Sequence, residues 1–319
     1  MGKIVKPASL QPGDKIWLIS PSEPITKDEL NKIARYFEKL GYQPVFGKNI
    51  LAHNGDYAAG TGKERAEDIN QAFADKETKA IISTVGGLVA LETLEHVDFD
   101  LVKNQPKIFA GYSDTTTLQL AFLAKTGLVT FHSPNAAALP DLRPKGYTMS
   151  NFWKMLGSND VGPIKPQSVW QTVRHGKAEG VLFGGNLSCL CKLLGTKFDP
   201  IANLDKWFDK DEKFIFFWEE VYEQFSEIMR NLWQLRNTGF FERVAGMVVG
   251  KLTAVAEIDY SDFPPKKELL KAVTAPFDFP IIYGFDFGHE VPKATVPIGV
   301  KARIDTSANL LEILESAVV

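Results

Sequence analysis

Short apolar runs alternate with amphipathic segments over the first 130 or so positions. Lys15 to Ser20 (KIWLIS) reads as a strand, broken by the Pro-Ser-Glu-Pro that follows. Thr26 with Glu29 three residues on is a capping-box pattern. Leu30, Ile33, Ala34 and Phe37 then share one helical face, and Gly41 ends it. Gln43 to Phe46 is a second strand, and Lys63 to Ala74 a helix with Ala66, Ile69, Ala72 and Phe73 inward. Ala80 to Val85 is a third strand ending in Gly86-Gly87, with a short helix over Leu88 to Leu94. Lys107 to Tyr112 is a fourth strand, Asp114 to Lys125 a helix, and Leu128 to Phe131 a fifth strand. This alternation predicts an α/β fold with a doubly wound, mostly parallel sheet. Ligands in such sheets gather beyond the carboxyl ends of the strands, where Gly86-Gly87 and Ser113 both fall.

The pattern then changes. Pro140, Pro163 and Pro166 punctuate a stretch with one helical piece, Phe152 to Leu156. This reading gives an N-terminal domain over 1–145, a linker over 146–175 and a smaller, β-rich α/β domain over 176–319. In the last part, Gly180 to Phe183, Phe214 to Trp218, Val244 to Val249 and Ile281 to Phe287 read as strands. Leu187 to Leu194, Gln224 to Arg236 and Lys266 to Val273 read as helices, and Thr295 to Ile304 with Leu310 to Leu314 as a closing hairpin-like pair.

Composition narrows the classes. A 45% hydrophobic, 24% charged chain is ordinary for a soluble globular protein. A net charge of -3 with no basic run argues against a nucleic-acid partner. No apolar stretch approaches a membrane span or a secretory h-region. Cys189 and Cys191 lack a second pair for a zinc site and read as buried thiols, which suits a reducing cytoplasm. Neither a metal cluster nor a nucleotide-binding glycine motif is present, so no cofactor is expected.

Three residues carry the candidate chemistry. Ser113 stands at a strand–Gly-x-Ser–helix corner, which lifts a hydroxyl off the backbone beside the amides of a first helical turn. Glu219 directly follows the apolar run FIFFW, where a charge needs a partner. His289 follows Gly288 at a strand end, whereas His53, His96, His132 and His175 have no partner pattern. A serine needs a base, histidine titrates near neutrality, and a carboxylate can hold the imidazole.

The ordered blocks SPSEP, AGTGKERAEDINQAFAD, AIISTVGG, KIFAGYSDTTTL, LVTFHSPN, GVLFGGNLSCLCKLLGT, FFWEEVYE and GFDFGHE extend this reading. With them the chain resembles the LD-carboxypeptidase family of serine peptidases. That family includes muramoyl-tetrapeptide carboxypeptidases and microcin C self-immunity peptidases. The resemblance implies Ser113 as nucleophile, Glu219 as triad carboxylate and His289 as base. It also implies an oxyanion hole from the backbone N–H of Asp114 and Gly87, a site between two domains, and a homodimer. The implied substrate is a small muropeptide losing a terminal D-alanine.

Two departures bear on substrate: Thr84-Val85-Gly86-Gly87-Leu88 lacks the Arg that some cell-wall members carry before Gly-Gly, and His132-Ser133-Pro134 has no Gly before Pro. One alternative keeps the triad and cleaves a peptidyl or aminoacyl nucleotide conjugate, with Trp170 as a candidate base-stacking residue. Another is a non-enzymatic small-molecule binding protein, which leaves Glu219 and His289 unexplained. Gly86, Arg230, Lys251 and Arg65 are the candidate substrate-binding residues, the three basic ones for an anionic group.

Overall fold

The structure is a computed structural model that describes residues 2–143, 146–159, 162–256 and 266–319. The N-terminal half contributes strands β1 (Lys15–Ile19), β2 (Gln43–Phe46), β3 (Thr78–Ser83), β4 (Ile108–Gly111) and β5 (Thr130–His132). Helices α1 (Lys27–Lys39), α2 (Gly62–Ala74), α3 (Ala90–Thr93), α4 (Phe99–Asn104) and α5 (Thr115–Thr126) alternate with them. These five strands are parallel, in the order β5-β4-β3-β1-β2. Both α1 and α2 start at full capping boxes, Thr26 with Glu29 and Thr61 with Glu64, which satisfy backbone N–H groups that a helix start leaves open.

The C-terminal half contributes α6 (Tyr147–Gly157), β6 (Gly162–Ile164), β7 (Gln171–Arg174), β8 (Lys177–Asn186), α7 (Leu187–Leu193) and β9 (Phe214–Val221). Then follow α8 (Phe225–Asn237), β10 (Val244–Thr253), α9 (Lys266–Val273), β11 (Ile281–Phe285), β12 (Val296–Ile298), β13 (Lys301–Asp305) and β14 (Leu310–Ile313). Eight of these strands form a mixed sheet, β6-β14-β13-β8-β9-β10-β11-β7. Its centre, β8 to β11, is parallel, and its flanks are antiparallel. Phe214 to Trp218 of β9 are fully buried, each large side chain contributing about 2–3 kcal/mol of apolar burial.

Several elements differ from the sequence expectation. Residues 146–175, expected as a linker, hold α6 and the two edge strands β6 and β7; positions 160 and 161 of that stretch are outside the described residues. Pro163 misleads because an edge strand tolerates it: it sits in β6, which among the described residues pairs only with β14. Helix α4 has no strong apolar period and was not foreseen. The expected tail hairpin divides. β13 and β14 pair as a hairpin, but β12 crosses to the N-terminal sheet and runs antiparallel to β5.

Helix α5 is buried on nearly every side, including Thr115, Thr116, Thr117 and Gln119. It packs on α3 and α4 of its own half and on α7 and β8 of the other. Its polar side chains are spent inside: Gln119 Nε2 donates to the carbonyls of Gly111 at 3.0 Å, at the end of β4, and of Phe131 at 2.6 Å, in β5.

Candidate active site

Ser113 occupies the corner between β4 and α5 with φ +64°, a left-handed conformation that costs a non-glycine residue about 1–2 kcal/mol. Strain of this kind persists where the surroundings over-determine the backbone. Here Asp114 supplies the restraint. Its Oδ2 accepts from Ser22 Oγ at 2.5 Å and from the Ala90 N–H at 2.8 Å, tying the corner to the loops after β1 and β3. Tyr112 N–H is held by Asn135 Oδ1 at 3.1 Å. Ser113 Oγ makes no hydrogen bond with any described residue and faces a cleft of about 920 Å³.

The Gly86-Gly87 turn lies directly against this serine. A Cβ on Gly86 would stand 2.8 Å from Ser113 Cβ and 2.9 Å from its Oγ, so only glycine fits. Gly87 has φ +140°, again a glycine conformation. Gly87 and Asp114 line the cleft, and their backbone N–H groups are donated to no described protein group.

Glu219 and His289 come from the other half. Glu219 ends the apolar run of β9 and is fully buried; His289 sits in the loop after β11 with 14% of its side chain exposed. His289 Nδ1 lies 2.7 Å from Glu219 Oε2, and Asn186 Nδ2 donates to Glu219 Oε1 at 3.2 Å. Burial pushes the Glu219 carboxyl up, but the hydrogen bond and charge of His289 outweigh it and hold the group below the usual carboxylate range. The neighbouring Glu220 goes the other way: burial and the charge of Glu219 raise it, although it accepts from Ser188 N–H and Oγ, Asn186 Nδ2 and Val221 N–H.

Under the imidazole lies a packed floor. The Tyr112 ring is 4.7 Å from the His289 ring, and the buried Lys293 places its Nζ 4.3 Å from the centre of the Tyr112 ring. His132 is enclosed by Tyr112, Phe217 and Phe287, and burial pushes it down to about 4, so it is neutral. The His132-Ser133-Pro134 departure therefore lies beneath the cleft and not on its wall, whereas Val85 and the exposed Leu88 line it.

Ser113, His289, Gly86 and Gly87, with Asp114, line one cleft, and Glu219 stands behind His289. The basic candidates do not join them. Arg230 is exposed on α8, paired with Glu227, and lines a separate groove with Trp233. Arg65 is buried and binds the carbonyls of Gly60 and Val89, Thr93 Oγ1 and Glu92. Lys251 reaches the Pro292 carbonyl and Asp286, away from the cleft. Trp170 is buried too, stacked on Phe285 at 4.1 Å with Nε1 on Asp286; the aromatic at the mouth is Tyr222, which is 84% exposed. Asn186, which caps α7 and bridges both buried glutamates, was missed; its position just before a helical stretch was the available signal. Among the described residues, no group of three His, Cys, Asp or Glu side chains is placed to hold a metal ion. No helix of the described residues is long and apolar enough to cross a membrane.

Two parallel-centred α/β sheets with a strained serine between them define a class of two-domain serine hydrolases. The LD-carboxypeptidase N-terminal domain matches residues 16–133 and the LD-carboxypeptidase C-terminal domain residues 179–304, so the chain belongs to the LD-carboxypeptidase family. It is a serine-type carboxypeptidase, a hydrolase of peptides. It is 33% identical over 305 residues to a probable murein peptide carboxypeptidase of Bacillus subtilis (strain 168), covering 95% of this chain and 92% of that one. It is 30% identical over 341 residues to the microcin C7 self-immunity protein MccF of Escherichia coli, covering 97% and 95%. A solved structure of MccF in complex with glutamyl sulfamoyl guanosine superposes with TM-score 0.86 at 27% identity, over 98% of this chain and 99% of that one.

Proposed function

We propose that the chain is an L,D-carboxypeptidase that works by a Ser113–His289–Glu219 mechanism. Ser113 Oγ attacks the carbonyl carbon of the amide that joins an L-configured centre to a terminal D-amino acid, such as the D-alanine of a muropeptide tetrapeptide. Glu219 occupies Nδ1 of His289, which leaves Nε2 to take the hydroxyl proton and hand it to the leaving amine. The undonated N–H groups of Asp114 and Gly87 receive the negative oxygen. Water, activated by the same imidazole, then releases the acyl group. The hydroxyl and the imidazole, which share no hydrogen bond in the structure, come together when substrate fills the cleft, as is common for catalytic pairs without ligand.

The observation that carries this reading is the 2.7 Å His289–Glu219 contact in the cleft wall that also holds a free hydroxyl at φ +64°. In the same reading the enzyme acts in the cytoplasm, as a homodimer. The test is Ser113→Ala: the folded variant should release no D-alanine from a tetrapeptide, and turnover equal to wild type would sink the assignment.

A second substrate reading is favoured by the likeness to MccF and by exposed Tyr222 at the mouth. It has the same groups hydrolyse a peptidyl or aminoacyl nucleotide conjugate, the tyrosine stacking on the base. Competition between a tetrapeptide and such a conjugate, read as relative kcat/KM, separates the two.

A further inference from the structure

A carboxypeptidase has to recognise a free terminal carboxylate, and Arg230, Arg65 and Lys251 are all placed outside the cleft. Among the described residues that line it, Lys192 is the one lysine or arginine. It is exposed and makes no hydrogen bond or ion pair with any described residue. Resting on the carboxypeptidase reading above, we propose that Lys192 binds the carboxylate of the substrate's terminal amino acid.

Helix α7 supplies the geometry. Ser188, Cys189 and Lys192 all line the cleft, and their spacing puts them on one helical face. Cys189 Sγ touches the Ser113 carbonyl oxygen at 3.6 Å, so this face abuts the nucleophile's own peptide. Lys192 lies three residues on, about 5 Å further along the axis. The terminal carboxylate follows the attacked carbonyl carbon by one residue, about 4 Å. A four-carbon stem spans what remains.

Charge fixes the direction in which a substrate lies. Glu23 and Glu223 also line the cleft, and neither has a cationic partner among the described residues. Glu220 is already engaged by Ser188 and Asn186. A carboxylate is repelled by Glu23 and Glu223 and attracted by Lys192, which favours a pose with its terminus at Lys192. A lysine suits the task as a mobile point charge that follows the departing amino acid.

The experiment uses two L,D peptides that differ only at the end, one with a terminal D-alanine acid and one with D-alanine carboxamide. Wild type should prefer the acid. Lys192→Met should lose about ten- to a hundredfold in kcat/KM on the acid, mostly through KM, and stay within about twofold on the carboxamide. Lys192→Arg should recover most of the loss. Unchanged turnover of the acid by Lys192→Met, or an equal loss on both peptides, overturns the assignment of Lys192 alone. A wild-type enzyme that releases nothing from either peptide overturns the carboxypeptidase reading, and this assignment with it.

Discussion

Replacing Glu219 by Gln tests the site most directly, because it changes a charge and almost no volume. The carboxylate is fully buried and touches His289 Nδ1 at 2.7 Å. In the proposed mechanism the imidazole becomes a cation during attack. Two unit charges about 4 Å apart, centre to centre, attract by about 4 kcal/mol at an effective dielectric constant near 20. Removing that attraction lowers kcat by about a thousandfold. An amide can also offer its NH2 to Nδ1 and fix the wrong tautomer, which takes the loss toward about ten-thousandfold, as in other serine triads. The fold should survive, since Asn186 and the β9 register remain and a buried charge has gone. The assay is D-alanine release by purified protein, alongside the thermal midpoint. Glu219→Gln, His289→Ala and the double variant should show strongly non-additive losses, since the groups act as a unit. A folded Glu219→Gln within tenfold of wild type, or losses that simply multiply, would refute the argument.

Three more expectations follow from named contacts. Ser113→Gly and Ser113→Ala should both be inactive, but the glycine variant should be more stable by about 1 kcal/mol in urea unfolding, because only alanine retains the strain of φ +64°; equal midpoints would remove the strain. Lys293 is buried, and desolvation pulls it from 10.5 down to about 8, so the charged form is penalised below pH 8 and the penalty fades as pH rises toward 10.5. Lys293→Met should therefore be more stable at pH 7, by up to about 3 kcal/mol, with the gain disappearing above about pH 10.5; a variant that unfolds earlier at pH 7 contradicts this. Arg65→Met should lower stability by about 3 kcal/mol or more, since the carbonyls of Gly60 and Val89 lose their donor, and a change in KM with unaltered stability would return Arg65 to the substrate.

Two of the candidate residues stand out in the sequence because each breaks a local rule. Glu219 is an acid at the end of five buried apolar residues, and Ser113 is a hydroxyl where a strand turns into a helix. Their approach to one cleft was not legible from spacing, because it depends on β8 pairing with β9 and on the loop after β11 bringing His289 to Glu219 and to the cleft that Ser113 lines. The parallel N-terminal sheet follows from alternating runs, whose apolar strands and capped helices agree at every level. Edge strands β6 and β7 escaped because segments of three and four residues are too short to carry a period, and β6 also holds Pro163. The anion candidates failed for a related reason. A basic residue's place on a helix says nothing about which cleft it borders, and Arg65, the least exposed of them, has become internal scaffolding.

Strand β12 has a consequence for how the enzyme could be divided. The chain leaves the larger sheet at β11, passes through His289, and is next anchored beside β5 in the other sheet. His289, the proposed proton acceptor, thus rides on a strap held by β11 at one end and by β12 at the other. A fragment ending after β5 would carry the serine yet present a bare, adhesive border where β12 belongs. The two halves are separate in architecture and inseparable as a working machine.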